Sequence, residues 1–319
     1  MMIFLFYSKI YSCASVYCSL HNNHDILHND WDTFYSEDNN KTIYSNNETV
    51  NLSDKNIYVK SCIYYNLSNS VIHISDKLVN SKLLFEDSQF LSCHISDQNN
   101  IIHLMFKGQI VINQCIFENC FDLHYHIFLN MNNINKVYLL ESSITSANNV
   151  NDVFKLDHPR IYNSNITRNT CKEACCAYIQ LYKSVGTVDY CNFNNNSAND
   201  DKNPFFIATF NINNPSIEMS LFCNVNIINN KKNGTAEIIK SEVQTIFKYC
   251  IFKDNKNGPL FGAAKLSIYV ENCQIDTNST SGSVKFENYH NKTVSSKIRP
   301  CFDGVNANYA NLRRNFNNN

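Results

Sequence analysis

Glycine and proline are scarce in this chain, seven and five in 319 residues. Helices and turns are usually punctuated by these two residues, so the chain must bend by other means. Net charge is also missing: 27 Lys and Arg stand against 28 Asp and Glu, a formal charge of -1. That balance leaves no electrostatic footprint for a nucleic acid or an anionic membrane, and the Arg313-Arg314 pair near the end is too short to anchor anything. No apolar run reaches about 18 residues, so no transmembrane helix is expected. Long helices are disfavoured as well, because Asn, Ser, Thr, Ile and Tyr dominate.

What is abundant is asparagine, about one residue in six. Asn and Asp tolerate a left-handed backbone and build side-chain turns, so they can stand in for Gly and Pro at bends. AT-rich coding would raise the same residues, which leaves their spacing as the informative signal. Apolar residues make up 44% of the chain, enough for a core.

The spacing shows a repeat. Cys or Ser, then any residue, then an apolar residue recurs at Cys62, Ser88, Cys115, Ser142, Ser164, Cys191, Cys223, Cys250 and Cys273. The steps are 26, 27, 27, 22, 27, 32, 27 and 23, and a degenerate tenth register falls at Cys301. Three residues before each anchor stand Val59, Phe85, Ile112, Leu139, Ile161, Val188, Ser220, Phe247 and Val270, apolar except at Ser220. Upstream lie short alternating runs such as Val71-Ile72-His73-Ile74, Ile101-Ile102-His103-Leu104 and Val153-Phe154-Lys155-Leu156. Period-two alternation over so few residues predicts half-buried strands.

Three short strands in each repeat make one coil of a solenoid. The expected fold is all-β: a single right-handed parallel β-helix of about 9–10 coils, on the order of 40–50 Å long. Residues 1–50 read as leader plus N-terminal cap, with Trp31 and Phe34 available to cover the first coil. The β-helix takes 51–300, and the Asn-rich 301–319 is a frayed tail. The leader reading rests on Met1 to Tyr7 with Ser12-Cys13-Ala14-Ser15 as its cleavage stretch; a truncated gene start is the alternative.

The chain has 14 cysteines. Small anchors suit a narrow interior corner, where Cys acts as a small hydrophobe. Cys191, Cys223, Cys250 and Cys273 are expected in one file of buried thiols, reduced and inert, with bridges as the alternative.

The strings Phe193-Asn194-Asn195-Asn196-Ser197-Ala198, Phe252-Lys253-Asp254-Asn255 and Gly258-Pro259-Leu260-Phe261-Gly262-Ala263 resemble the Phe-x-x-Asn and Gly-Gly-Ala-Ile halves of polymorphic outer-membrane protein repeats. Such repeats occur in chlamydial surface proteins and in β-helix surface proteins of trichomonads. Cys115 to Cys120 has the same look. The resemblance covers about 55–300 and implies a pectin-lyase-like fold with a secreted or cell-surface, adhesin-like role. Only Gly262-Ala263 approaches the Gly-Gly-Ala half.

No residue set earns a catalytic, cofactor or metal assignment. Asp157-His158-Pro159-Arg160 and the group Asp122, His124, His126 are the nearest to glycosidase or lyase chemistry, yet lack the paired carboxylate strings such enzymes use. His73 and His103 read as an outward ladder continued by Lys155 and Gln180. Cys171, Cys175 and Cys176 lack a second ligand pair for zinc. Nine Asn-x-Ser/Thr sequons, at Asn40, Asn47, Asn51, Asn66, Asn165, Asn195, Asn233, Asn278 and Asn291, compare with about seven expected by chance. The function expected is a structural or adhesion-like module, with glycans or host surface proteins as partners. A carbohydrate-active β-helix enzyme is the alternative, and an inactive gene fragment the third reading.

The register makes a sharp prediction. Ile112→Asp buries a carboxylate among stacked apolar groups and should cost several kcal/mol. Ile116, pointing outward, should tolerate Asp for under about 1 kcal/mol. Equal loss of melting temperature in the two variants would place the register elsewhere.

Overall fold

The computed structural model describes residues 31–35, 41–45, 56–68, 70–75, 81–94, 100–105, 108–121, 125–129, 137–148, 150, 152–157, 159–172, 177–181, 185–199, 206–210 and 219–288. The leader reading, most of the proposed cap and the 301–319 tail lie outside these residues. The chain divides into two units, Met1–Asp38 and Asn39–Asn319. In the first, a short helix Trp31–Tyr35 is described, with Trp31 buried and its ring 4.6 Å from that of Tyr35.

The second unit is a parallel β-solenoid. Its third face is a nine-stranded sheet, one strand per coil, from Ile63–Tyr65 to Gln274–Ile275. An eighteen-stranded sheet supplies the other two faces. These are continuous because the 11-residue strand Phe261–Glu271 runs from the first face into the second, with a register shift between Ala263 and Ile268. At about 4.8 Å per coil the nine strands stack to about 40 Å. The strands Asn56–Lys60, Gly108–Asn113, Val185–Asp189 and the end of Phe261–Glu271 lie on the second face, where the expected inward column Val59, Phe85, Ile112, Leu139, Ile161 and Val188 is joined in register.

One register differs from the sequence reading. Val188 pairs with Phe222, and Asn192 with Asn226, so the corner residue of the seventh coil is Val225 and not Cys223. The steps there are 34 and then 25 residues. Ser220 therefore leaves the inward column, and Phe222, 1% exposed, fills it between Val188 and Phe247. The tenth bend comes at Asn288, whose left-handed backbone matches that of Asn272. Cys301 lies outside the described residues.

Asparagine does replace glycine at the bends. Every coil turns from second to third face through one left-handed residue, at Ser61, Asp87, Gln114, Glu141, Asn163, Tyr190, Asn224, Tyr249 and Asn272. Five residues later, in eight of these coils, a second left-handed residue ends the third face, at Asn66, Ser92, Asn119, Ser146, Arg168, Asn195, Asn229 and Asp254. A left-handed φ costs an ordinary side chain about 1–2 kcal/mol, least for Asn and Asp.

Two buried columns compensate these bends. At the first corner, Oγ of Ser88, Ser142 and Ser164 accepts from the backbone N–H of Cys62, Cys115 and Ser142 one coil back. Each hydroxyl also donates to the carbonyl two residues before it, at 2.7 to 2.9 Å. Cys273 Sγ does the same for Cys250 N–H, at 3.3 Å. The anchors are small because they sit in a corner, and polar because the corner presents amides.

At the second corner the column reads Cys93, Cys120, Ala147, Asn169, Asn196, Asn230 and Asn255. The four asparagines form a ladder. Asn169, Asn196 and Asn230 each donate Nδ2 to Oδ1 of the next, at 3.0 to 3.1 Å, and to a carbonyl of the coil before. Each Oδ1 also accepts a backbone N–H, from Ala147, Asn169, Asn196 and Asn230 in turn. This explains the Phe-x-x-Asn strings. Phe193 and Phe252 fill the core, and three residues on the Asn closes the bend. Ile166-x-x-Asn169 and Ile227-x-x-Asn230 are the same device.

Ile112 and Phe117 belong to the continuous core; Ile116 lies outside that cluster but is only 8% exposed, so Ile116→Asp covers its carboxylate too and costs more than the outward register alone implies, though less than Ile112→Asp. A Cβ at Gly262 would lie 2.4 Å from the Glu237 side chain, which would have to move aside. The ladder predicts a contrast between chemically identical residues. Asn196→Ala leaves several buried amide groups unpaired and should cost about 3 kcal/mol in denaturant unfolding. Exposed Asn233→Ala should cost under about 0.5 kcal/mol.

Candidate functional site

The outward surface of the second face and its bend, in coils five to nine, carries a column of ionisable groups beside two exposed tyrosines. Alternation along each strand turns the residue two before the corner outward. From coil five on, that column reads Tyr162, Asp189, Cys223, Lys248 and Glu271, each hydrogen-bonded in register to the next. Lys248 Nζ lies 2.9 Å from a Glu271 carboxylate oxygen, with both side chains largely covered. Asn224 Nδ2 donates to Asp189 at 3.2 Å. Burial pushes the Asp189 carboxyl up to about 6, against the hydrogen bonds from Asn224 and the Tyr190 backbone, which pull it down. Cys223 is half-buried between Asp189 and Lys248.

The adjoining bend column alternates: Asn163, Tyr190, Asn224, Tyr249, Asn272. Tyr190 is 39% exposed and Tyr249 60% exposed, and Tyr162 meets Tyr190 edge-on at 5.7 Å. Beyond the bend, an outward amide ladder runs along the third face. Asn226 donates to Asn192, and Asn192 to Asn165, both at 2.7 Å.

A second polar group sits on the same face in the first two coils. Burial raises the Glu86 carboxyl, and the Tyr58 hydroxyl donates to it, with Lys60 Nζ at 3.8 Å. Near the far end, Ser281 Oγ donates to Glu237 at 2.6 Å. Burial pushes the Glu237 carboxyl up, but that bond, the backbone, and the charges of Lys240 and Lys232 bring it below the usual range. Lys232 is fully buried, in register after Cys171 and Ala198, a core position the sequence did not single out.

The candidates read from the sequence are mostly not brought together. His73 pairs in register with His103, but the column continues through Phe128, Lys155 and Tyr178 rather than Gln180, which pairs with Asp157. Arg160 is exposed, its guanidinium 5.4 Å from the Tyr138 ring centre. His158, Asp122, His124, Cys175 and Cys176 lie outside the described residues. Cys171 is buried. Among the described residues no three His, Cys, Asp or Glu side chains cluster as a metal ion would need. Of the sequons, Asn66, Asn195, Asn233 and Asn278 are exposed, and Asn165 is tied into the amide ladder. Among the described residues no helix is long and apolar enough to cross a membrane. No protein family, curated protein or solved structure matches the chain.

All nine described cysteines are unbridged. The file of four thiols is broken, because Cys223 faces outward two residues before the true corner. Cys191, Cys250 and Cys273 remain buried in the corner column, and burial raises the Cys250 and Cys115 thiols. Brief alkylation of the native chain should therefore label Cys223 and spare the other eight described cysteines until denaturant is added. Mass spectrometry of the labelled peptides reads this directly. Protection of Cys223 equal to that of Cys250 would contradict its outward placement.

Proposed function

We propose that this chain is a secreted or cell-surface structural module, adhesion-like and without catalytic activity, related in design to pectin-lyase-like and polymorphic outer-membrane repeat proteins. One observation carries the reading: the buried carboxylates serve the stack. Glu271 is matched by Lys248 and Asp189 by Asn224, each partner one coil away. Glu86 is matched by Tyr58 and Lys60, again from the neighbouring coil. Asp189 and Glu271 stand in one column three coils apart, about 14 Å. Paired carboxylates of glycosidases stand closer, at about 5–9.5 Å, across the scissile bond. A solenoid so arranged offers a long, regular outer surface, which suits adhesion. The repeat strings Phe193 to Ala198 and Phe252 to Asn255 add the resemblance to surface proteins, although one fold serves many functions.

A glycan array probed with the purified chain, run beside assays for released sugar ends on acidic and neutral polysaccharides, tests this. The expected result is binding without turnover. Product release that is lost in Asp189→Asn would instead establish the carbohydrate-active enzyme.

A further inference from the structure

We propose that the bend ridge carrying Tyr190 and Tyr249 is a binding site for a linear β-linked polysaccharide, lying along the solenoid axis with alternate sugars stacked on the two rings. This rests on the surface-module reading above and supplies its ligand class.

The first observation is conformational. Tyr190 and Tyr249 hold φ of 53° and 56°, a left-handed backbone that disfavours a bulky residue. The neighbouring coils meet the same requirement with Asn163, Asn224 and Asn272. Tyr249 is 60% exposed and Tyr190 39%, the latter with Tyr162 edge-on beside it, so both present ring surface to solvent. A strained residue whose side chain faces water points to a role outside the fold.

The second observation is metrical. The tyrosines occupy equivalent positions two coils apart, so their rings repeat at about 9.6 Å along the axis. One coil is close to the length of one sugar in an extended β-linked chain. In such a chain successive sugars are flipped, and the same face recurs at every second ring. Two coils therefore match one disaccharide, and both tyrosines meet the same sugar face. An α-1,4-linked glucan such as starch coils and keeps no such repeat.

The third observation is the flanks. On one side runs the amide ladder Asn165, Asn192 and Asn226, and on the other Asp189, Lys248 and Glu271. Asn192, Asn226 and Glu271 are under a tenth exposed, so these flanks frame the ridge and the tyrosine rings carry the contact. Tyrosine supplies a rigid apolar platform with a polar tip.

The test uses the full chain with microcrystalline cellulose, chitin and granular starch as probes, measured by depletion from solution. Binding to cellulose or chitin and not to starch is expected. Tyr190→Ala and Tyr249→Ala should each weaken it about tenfold, whereas Tyr249→Phe keeps the ring and the affinity. The decisive variant combines Asn224→Tyr with Tyr249→Asn. It keeps two tyrosines at left-handed bends but sets them one coil apart, where adjacent sugars show opposite faces, and it should bind as poorly as the alanine variants, whereas Asn224→Ala alone, which loses only the bond to Asp189, should bind as the unaltered chain does. Unchanged melting temperatures establish that each variant is folded. Failure to bind either β-linked polymer, equal binding of starch, or full binding by the alanine or shifted variants would overturn the ridge. Binding of other array partners that the tyrosine variants leave intact would sink the ridge and spare the surface-module reading. Turnover would do the reverse.

Discussion

The structure depends on one constraint: each coil must turn two sharp corners and still hand every backbone amide to the coil beside it. A left-handed residue makes each corner, and it leaves a neighbouring N–H pointing inward without a ladder partner. The chain answers with small polar side chains from the next coil, hydroxyl or thiol at one corner and carboxamide at the other. Buried polar groups are tolerated only when they are satisfied, and the carboxamide column runs unbroken from Asn169 to Asn255. The apolar stacks between them, such as Tyr64, Phe90 and Phe117 with centroids 5.2 and 4.5 Å apart, fill the space the corners define.

Much of this was legible in the sequence. The inward columns Val59 to Val188 and the Ser and Cys corners can be counted from residue types alone, because burial and corner size restrict those positions strongly. The misreading at Cys223 has a physical cause. Cys223-Asn224-Val225 imitates a small corner followed by an inward apolar residue, while the true corner, Val225, carries no hydroxyl or thiol. The asparagine ladder would have corrected it, since Asn230 stands three residues after Ile227 as Asn196 does after Phe193. Its role was hidden because Asn is common everywhere in this chain.

The surface was far less legible. Which tyrosines face water depends on the register of coils of unequal length, and the alternation of Asn and Tyr at the bends emerges only once Cys223 is moved out of the corner. The carboxylates were equally opaque. Asp189 and Glu271 are more than eighty residues apart in sequence yet share one column, because a solenoid brings together positions of equal phase rather than neighbours in the chain.

Val225 also has a mechanical meaning. Its isopropyl group cannot receive the amide that serine or cysteine receives at other corners. At the opposite corner of the same interface, Asn196 and Asn230 are joined by side-chain and backbone bonds. Between the sixth and seventh coils the inward side-chain bond is thus kept at one corner and lost at the other, where Asn224 with Asp189 and Asn226 with Asn192 bridge the coils on the outer side instead. The two coils are therefore tied from outside at the Val225 corner and from inside at the Asn230 corner, so that groups facing the solvent side take over there what buried groups do at other corners.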